Sequence, residues 1–254
     1  MASADSSFAS LWTTLKAKFD RLSEHHDVML LLALAVLAAG VFAFAELAGE
    51  VVAGQATSFD ESILLAFRES GDLDDPIGNS SIEEAVRDIT ALGGTVIIVL
   101  LLLATLAYFL LDKRPRSALF LLGSVLSGIG VTFILKSSFA RPRPDLVSHG
   151  MEALTASFPS GHSATAAVVY LTLGALMARA HPGRRLKIFL IGISVFVAIA
   201  VGISRVYLGV HWPTDVIAGW TVGATWAVAA SLVARSLQHR GWLEPPRMLL
   251  RPTD

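Results

Sequence analysis

The sequence predicts an all-α fold, a bundle of six transmembrane helices with its active site at the outer membrane face. Three observations predict it. Of 254 residues, 54% are hydrophobic and 16% charged, and the mean hydropathy of +0.62 is too high for an ordinary soluble domain. Six apolar stretches, at 28–48, 91–111, 117–135, 163–179, 186–204 and 215–235, approach the roughly 20 helical residues that cross a hydrocarbon core about 30 Å thick. Two of them are short and need their flanks to reach both surfaces. The basic residues are also uneven. Fourteen of the twenty Lys and Arg fall before the first span, after the second and fourth, and after the sixth, so the positive-inside rule places both termini in the cytoplasm of a cell (inner) membrane protein.

Residues 1–27 form the first element. Phe8, Leu11, Trp12, Leu15, Phe19 and Leu22 recur at helical spacing, with Lys16, Lys18, Asp20 and Arg21 off that stripe. An amphipathic helix on the cytoplasmic interface and a leader packed on the bundle fit this pattern equally well. With 27 mostly polar residues ahead of it, the first span is expected to be retained rather than cleaved as a signal. In the outer loop 49–90, Phe59, Ile63, Ala66 and Phe67 share one helical face, and Ser81 with Glu84 has the form of a capping box ahead of Ala85, Val86 and Ile89. Asp75-Pro76 and Gly78 break the chain between these helices, and the loop is expected to shape a lipid entrance. Residues 28–238 make one membrane domain without repeats or linkers, and 239–254 a short cytoplasmic tail.

Some chemistry is excluded at once. The chain has no cysteine, which removes disulfides, thiolate nucleophiles and Cys-based metal sites. No basic run resembles a nucleic-acid-binding face, so no nucleic-acid partner is expected. The oligomeric state is not encoded in any pattern of the sequence.

Three clusters of polar residues sit at the outer ends of spans. Lys136 closes the third span, and Arg141-Pro142-Arg143-Pro144 follows, its prolines holding two guanidinium groups near the surface. A guanidinium fork suits phosphate oxygens and Lys adds a point charge, although a single such residue is more often an interface anchor. Ser160-Gly161-His162 leads into the fourth span, where a helix N-terminus offers free N–H groups and glycine admits an anion to the backbone. Arg205 ends the fifth span, and His211 with Asp215 opens the sixth. Asp215 either accepts from the imidazole, fixing its tautomer and freeing the other nitrogen, or simply caps the helix.

Of the seven histidines, His25, His26, His181 and His239 fall on the cytoplasmic side, leaving His149, His162 and His211 outside. Two histidines beside an anion site are what metal-free phosphoryl transfer requires, one to attack phosphorus and one to protonate the leaving group. A metal at His211 and Asp215 would face repulsion from the surrounding cations. Neither a metal nor another cofactor is expected.

Lys136-x6-Arg143-Pro144, Pro159-Ser160-Gly161-His162 and Ser204-Arg205-x5-His211-x3-Asp215 together resemble the three-part signature of the type 2 phosphatidic acid phosphatase (PAP2) family, related by its site to vanadium haloperoxidases. The resemblance spans 136–215; outside it only the six-helix layout is similar. It implies a lipid phosphatase with a lipid phosphate or diphosphate as substrate. It makes His211 the nucleophile that forms a phosphohistidine, Asp215 its orienting partner, and His162 the acid and then the base. Lys136, Arg143, Ser160, Gly161 and Arg205 would hold the phosphate. Arg141-Pro142 duplicates the Arg-Pro pair, but spacing from Lys136 favours Arg143, so loss of Arg141 is expected to be mild. His149 matches no motif position. A haloperoxidase and a non-enzymatic lipid or anion carrier are the competing readings; six spans count against the first and the paired histidines against the second.

Overall fold

Helical periodicity and apolar length, with few strand-forming signals, produce a helical bundle. A computed structural model describes residues 25–147, 155–181 and 183–244. Its helices are α1 (His25–Val52), α2 (Thr57–Leu65), α3 (Ser80–Ala91), α4 (Thr95–Leu111), α5 (Pro115–Ser138), α6 (Gly161–Ala166), α7 (Thr172–Ala180), α8 (Arg184–Tyr207) and α9 (Pro213–His239). A π-helical turn, Ala167–Leu171, joins α6 to α7, so Gly161–Arg179 acts as one span. Five spans are straightforward by length and composition, and α3 with α4, bent by 47°, makes a sixth. The helix that fills the expected 91–111 span, α4, begins at Thr95, because Gly93 and Gly94 separate it from α3. Residues 1–24, with the amphipathic leader, and 245–254, with most of the tail, lie outside the described residues.

Two details of the outer loop differ from expectation. An antiparallel hairpin of β1 (Arg68–Glu69) and β2 (Asp72–Pro76) follows α2. The cap of α3 is Asn79, whose side chain accepts from Ile82 N–H at 3.1 Å, two residues before the expected Ser81. Gly78, at φ +115°, turns the chain so that Asn79 meets the helix extended, and Asn caps as well as Ser.

The spans pack around α9, which touches α1, α5, α6, the π turn, α7 and α8. Close approach comes from glycine. A Cβ at Gly219 would stand 2.8 Å from Ser160 O, and one at Gly223 2.3 Å from Ala167 Cβ, so this small-x3-small face lets α9 lie against α6 and the π turn. Leu121, Val125, Val169 and Leu173 centre the core among α4 to α7. Leu100, Leu103, Phe133, Phe189 and Phe196 instead point outward, as lipid-facing positions do.

Candidate active site

Three junctions meet at one end of the bundle: α1 to α3, α5 to α6, and α8 to α9. The last is short. Leu208 N–H reaches Ser204 O and Val210 N–H reaches Arg205 O, and the turn needs Gly209 at φ +71°. It carries His211 into the interior at 1% exposure.

Both ring nitrogens of His211 are engaged. Nδ1 lies 3.4 Å from Asp215 Oδ2 and 3.3 Å from Ser157 Oγ, while Nε2 lies 3.3 Å from Arg143 Nη1. Arg143 is itself braced. Its Nη1 donates to Val210 O at 2.6 Å and its Nε to Thr155 O at 3.0 Å. Burial pushes the His211 imidazole down to about 3, with Arg143 and Arg205 adding to the effect and the Asp215 contact opposing it. Burial also lowers Arg143 from its ordinary value, against the attraction of Asp215.

Asp215 makes both of the contacts that the sequence left open. Oδ2 accepts from Trp212 N–H at 2.9 Å, which caps α9, and also meets Ser157 Oγ and His211. Its other oxygen, Oδ1, accepts from Arg141 Nη1 at 2.6 Å.

The remaining predicted residues lie at the same end. Ser160 caps α6; its hydroxyl accepts from Ser163 N–H at 3.5 Å and Ser163 Oγ–H at 2.9 Å, and its own N–H donates to Asp215 O. Gly161 leaves its face open toward Lys136, whose Nζ would stand 3.9 Å from a Cβ there. Arg205 is buried on the last turn of α8 and donates to Thr90 Oγ1 at 3.2 Å. His162, half-buried on the first turn of α6, lies within electrostatic reach of Lys136, Arg143 and Arg205. Two of these, Arg143 and Arg205, also act on His211, so both imidazoles share one cationic wall. His149 lies outside the described residues.

Arg141, which motif spacing set aside, is held at three points: Nη1 donates to Thr214 Oγ1 at 2.7 Å and Asp215 Oδ1 at 2.6 Å, and Nη2 to Asp60 Oδ2 at 2.5 Å. Asp60 comes from α2 and also accepts from Thr214 N–H and Oγ1–H. The buried face of α2 is therefore Asp60 with Leu64, whereas Phe59, on the apolar face that periodicity picks out, is 47% exposed. Ser157 and Asp60 carried no motif and were missed; the duplicated Arg-Pro was the one visible hint that two arginines are used differently.

A guanidinium beside an imidazole that a carboxylate holds from its other side makes a cationic setting suited to an anion. The chain is similar to known lipid phosphatases. A model of the PAP2 superfamily matches residues 117–238. Phosphatidylglycerophosphatase B of Bacillus subtilis is 33% identical over 144 residues, covering 56% of this chain and 70% of that protein. Lipid A 1-phosphatase of Rhizobium etli is 32% identical over 120 residues, 43% of this chain and 46% of that protein. The crystal structure of a transmembrane PAP2 type phosphatidylglycerolphosphate phosphatase from Bacillus subtilis superimposes with a TM-score of 0.72 at 28% identity, over 79% of this chain and 96% of that one.

Proposed function

The chain belongs to the PAP2 superfamily and is a membrane lipid phosphatase; from that premise we propose that it works through a phosphohistidine on His211, without a metal. The observation that carries this reading is the setting of His211, with Nδ1 toward Asp215 and Nε2 toward Arg143. Asp215 favours the tautomer with the proton on Nδ1, which leaves the Nε2 lone pair facing the place where Arg143 would hold a phosphate oxygen.

In the first step Nε2 of His211 attacks phosphorus, the bond from phosphorus to the lipid oxygen breaks, and His162 gives that oxygen a proton. In the second, His162 takes a proton from water, the hydroxide attacks phosphorus, and the P–N bond breaks to release phosphate. Lys136, Arg143, Arg205, Ser160 and the backbone at Gly161 neutralise the charge that collects on the equatorial oxygens. These groups supply the positive charge that a divalent ion provides elsewhere, and the Nδ1 side of His211 is turned to Asp215 and Ser157.

The site faces the exterior in this reading, supported by the bias of Lys and Arg toward the opposite end. A phosphate head group enters at the helix ends while its chain stays in the bilayer. Candidate substrates are phosphatidylglycerol phosphate, phosphatidate, phosphorylated lipid A and undecaprenyl diphosphate.

Phosphate release by the purified protein from these four lipids identifies the substrate. Radiolabelled phosphate on the protein, acid-labile and lost in His211→Ala, is the expected intermediate; turnover that persists in His211→Ala refutes the mechanism. Activity should survive chelator and fall with vanadate. The native chain has no cysteine, so Ser80→Cys and Arg185→Cys report orientation directly. An impermeant maleimide added to intact cells should label the first alone.

A further inference from the structure

We propose that Asp60, on a short helix of the outer loop, is a positioning residue for the His211 nucleophile, acting through Arg141 on Asp215. The inference rests on the mechanism above, in which His211 attacks phosphorus, and extends it to a residue 151 positions away that touches neither histidine.

Left alone, a guanidinium fork takes both oxygens of one carboxylate in two parallel bonds. Arg141 does not do this to Asp215. It reaches Oδ1 alone, through Nη1, because Nη2 is held by Asp60 Oδ2 at 2.5 Å. Oδ2 of Asp215 is thereby left for Ser157, the Trp212 N–H and His211 Nδ1. The split of one guanidinium between two carboxylates is what keeps the orienting oxygen facing the imidazole.

Asp60 is fixed well enough to do this. It is fully buried, and Thr214 supplies two further donors, N–H at 2.8 Å to Oδ1 and Oγ1–H at 2.7 Å to Oδ2. One turn later on the same face of α2, Leu64 packs fully buried against Val206, Trp212 and Val216. A carboxylate and a leucine spaced i, i+4 thus dock α2 onto the start of α9 with one polar and one apolar contact. Among the polar contacts of Asp60, none involves Lys136, Arg143 or Arg205, so the phosphate-binding side chains do not depend on it directly.

Asp60→Asn keeps the shape and replaces one acceptor by a donor. It frees Nη2 of Arg141, which then closes on Asp215 and draws Oδ2 off the imidazole. With phosphatidylglycerol phosphate and the purified full-length protein, kcat should fall about 10- to 100-fold while KM stays within about twofold. In an Asp215→Asn background the same substitution should cost less than about threefold, because the group through which it acts is already gone. Should Asp60→Asn fail to fold, Arg141→Lys, which puts one ammonium where the guanidinium spans two carboxylates, must give the same pattern. An unchanged kcat, a loss confined to KM, or an equal loss in both backgrounds overturns the proposal. His211→Ala separates the two levels: if it remains active the mechanism itself fails, whereas an inactive His211→Ala beside an unaffected Asp60→Asn sinks only the role of Asp60.

Discussion

Arg141→Met is the sharpest probe of the buried charges, because the motif spacing leaves this residue aside while the structure pairs it with two buried carboxylates. The guanidinium is 14% exposed and pairs with two carboxylates that are fully buried, at 2.5 and 2.6 Å. Methionine fills much of the volume but strands two like charges. Breaking one buried pair by removing a single partner costs about 3–5 kcal/mol; here the loss leaves two anions, so the upper half of that range is expected. At about 2–4 °C per kcal/mol for a chain of this size, the melting temperature in detergent should fall by roughly 10 °C. A melting temperature within about 2 °C of the parent would refute the reasoning.

Other outcomes rest on the same geometry. Arg143→Ala, which removes the guanidinium beside His211 Nε2, should lower kcat by about 10²–10³ with little loss of melting temperature, since this side chain is only half-buried. His211 is held near 3 against an ordinary 6.5, so the unfolded chain binds a proton that the folded one refuses. Its contribution to stability is present above about pH 6.5 and is lost as the pH falls toward 3; His211→Gln should flatten that part of a melting curve measured against pH. Gly223→Leu would drive a side chain into Ala167 and the backbone of Ala164 and Val168. It should lower stability and activity together, and a variant that melts normally would contradict the close packing of α9.

The six spans were legible because each is a long apolar run bounded by charge or proline, and lipid leaves such runs few alternatives to helix. The site was legible where chemistry is concentrated at span ends: Lys136, Arg143, Ser160, Gly161, His162, Arg205, His211 and Asp215 all lie at one end of the bundle. Sequence did not disclose contacts between segments with no shared pattern. Asp60 and Arg141 are 81 residues apart, and Asp60 lies off the apolar stripe of its amphipathic stretch, so periodicity did not mark it. Ser157 precedes a motif without belonging to it. Gly219 and Gly223 carried no signal of their own in the sequence; their neighbours show that this pair admits α6. Asn79 displaced Ser81 as a cap because the turn at Gly78, a three-dimensional event, chose between two competent residues.

The π turn at Ala167–Leu171 has a consequence of its own. Such a turn holds one residue beyond the α-helical ladder, which rotates the start of α7 by about 100° around the axis. The azimuth of His162 above it is thereby decoupled from that of Leu173 below, which faces the core. A single-residue deletion there would re-phase the two halves, swinging one of them away from its partners while leaving every hydrogen bond of an ordinary helix available.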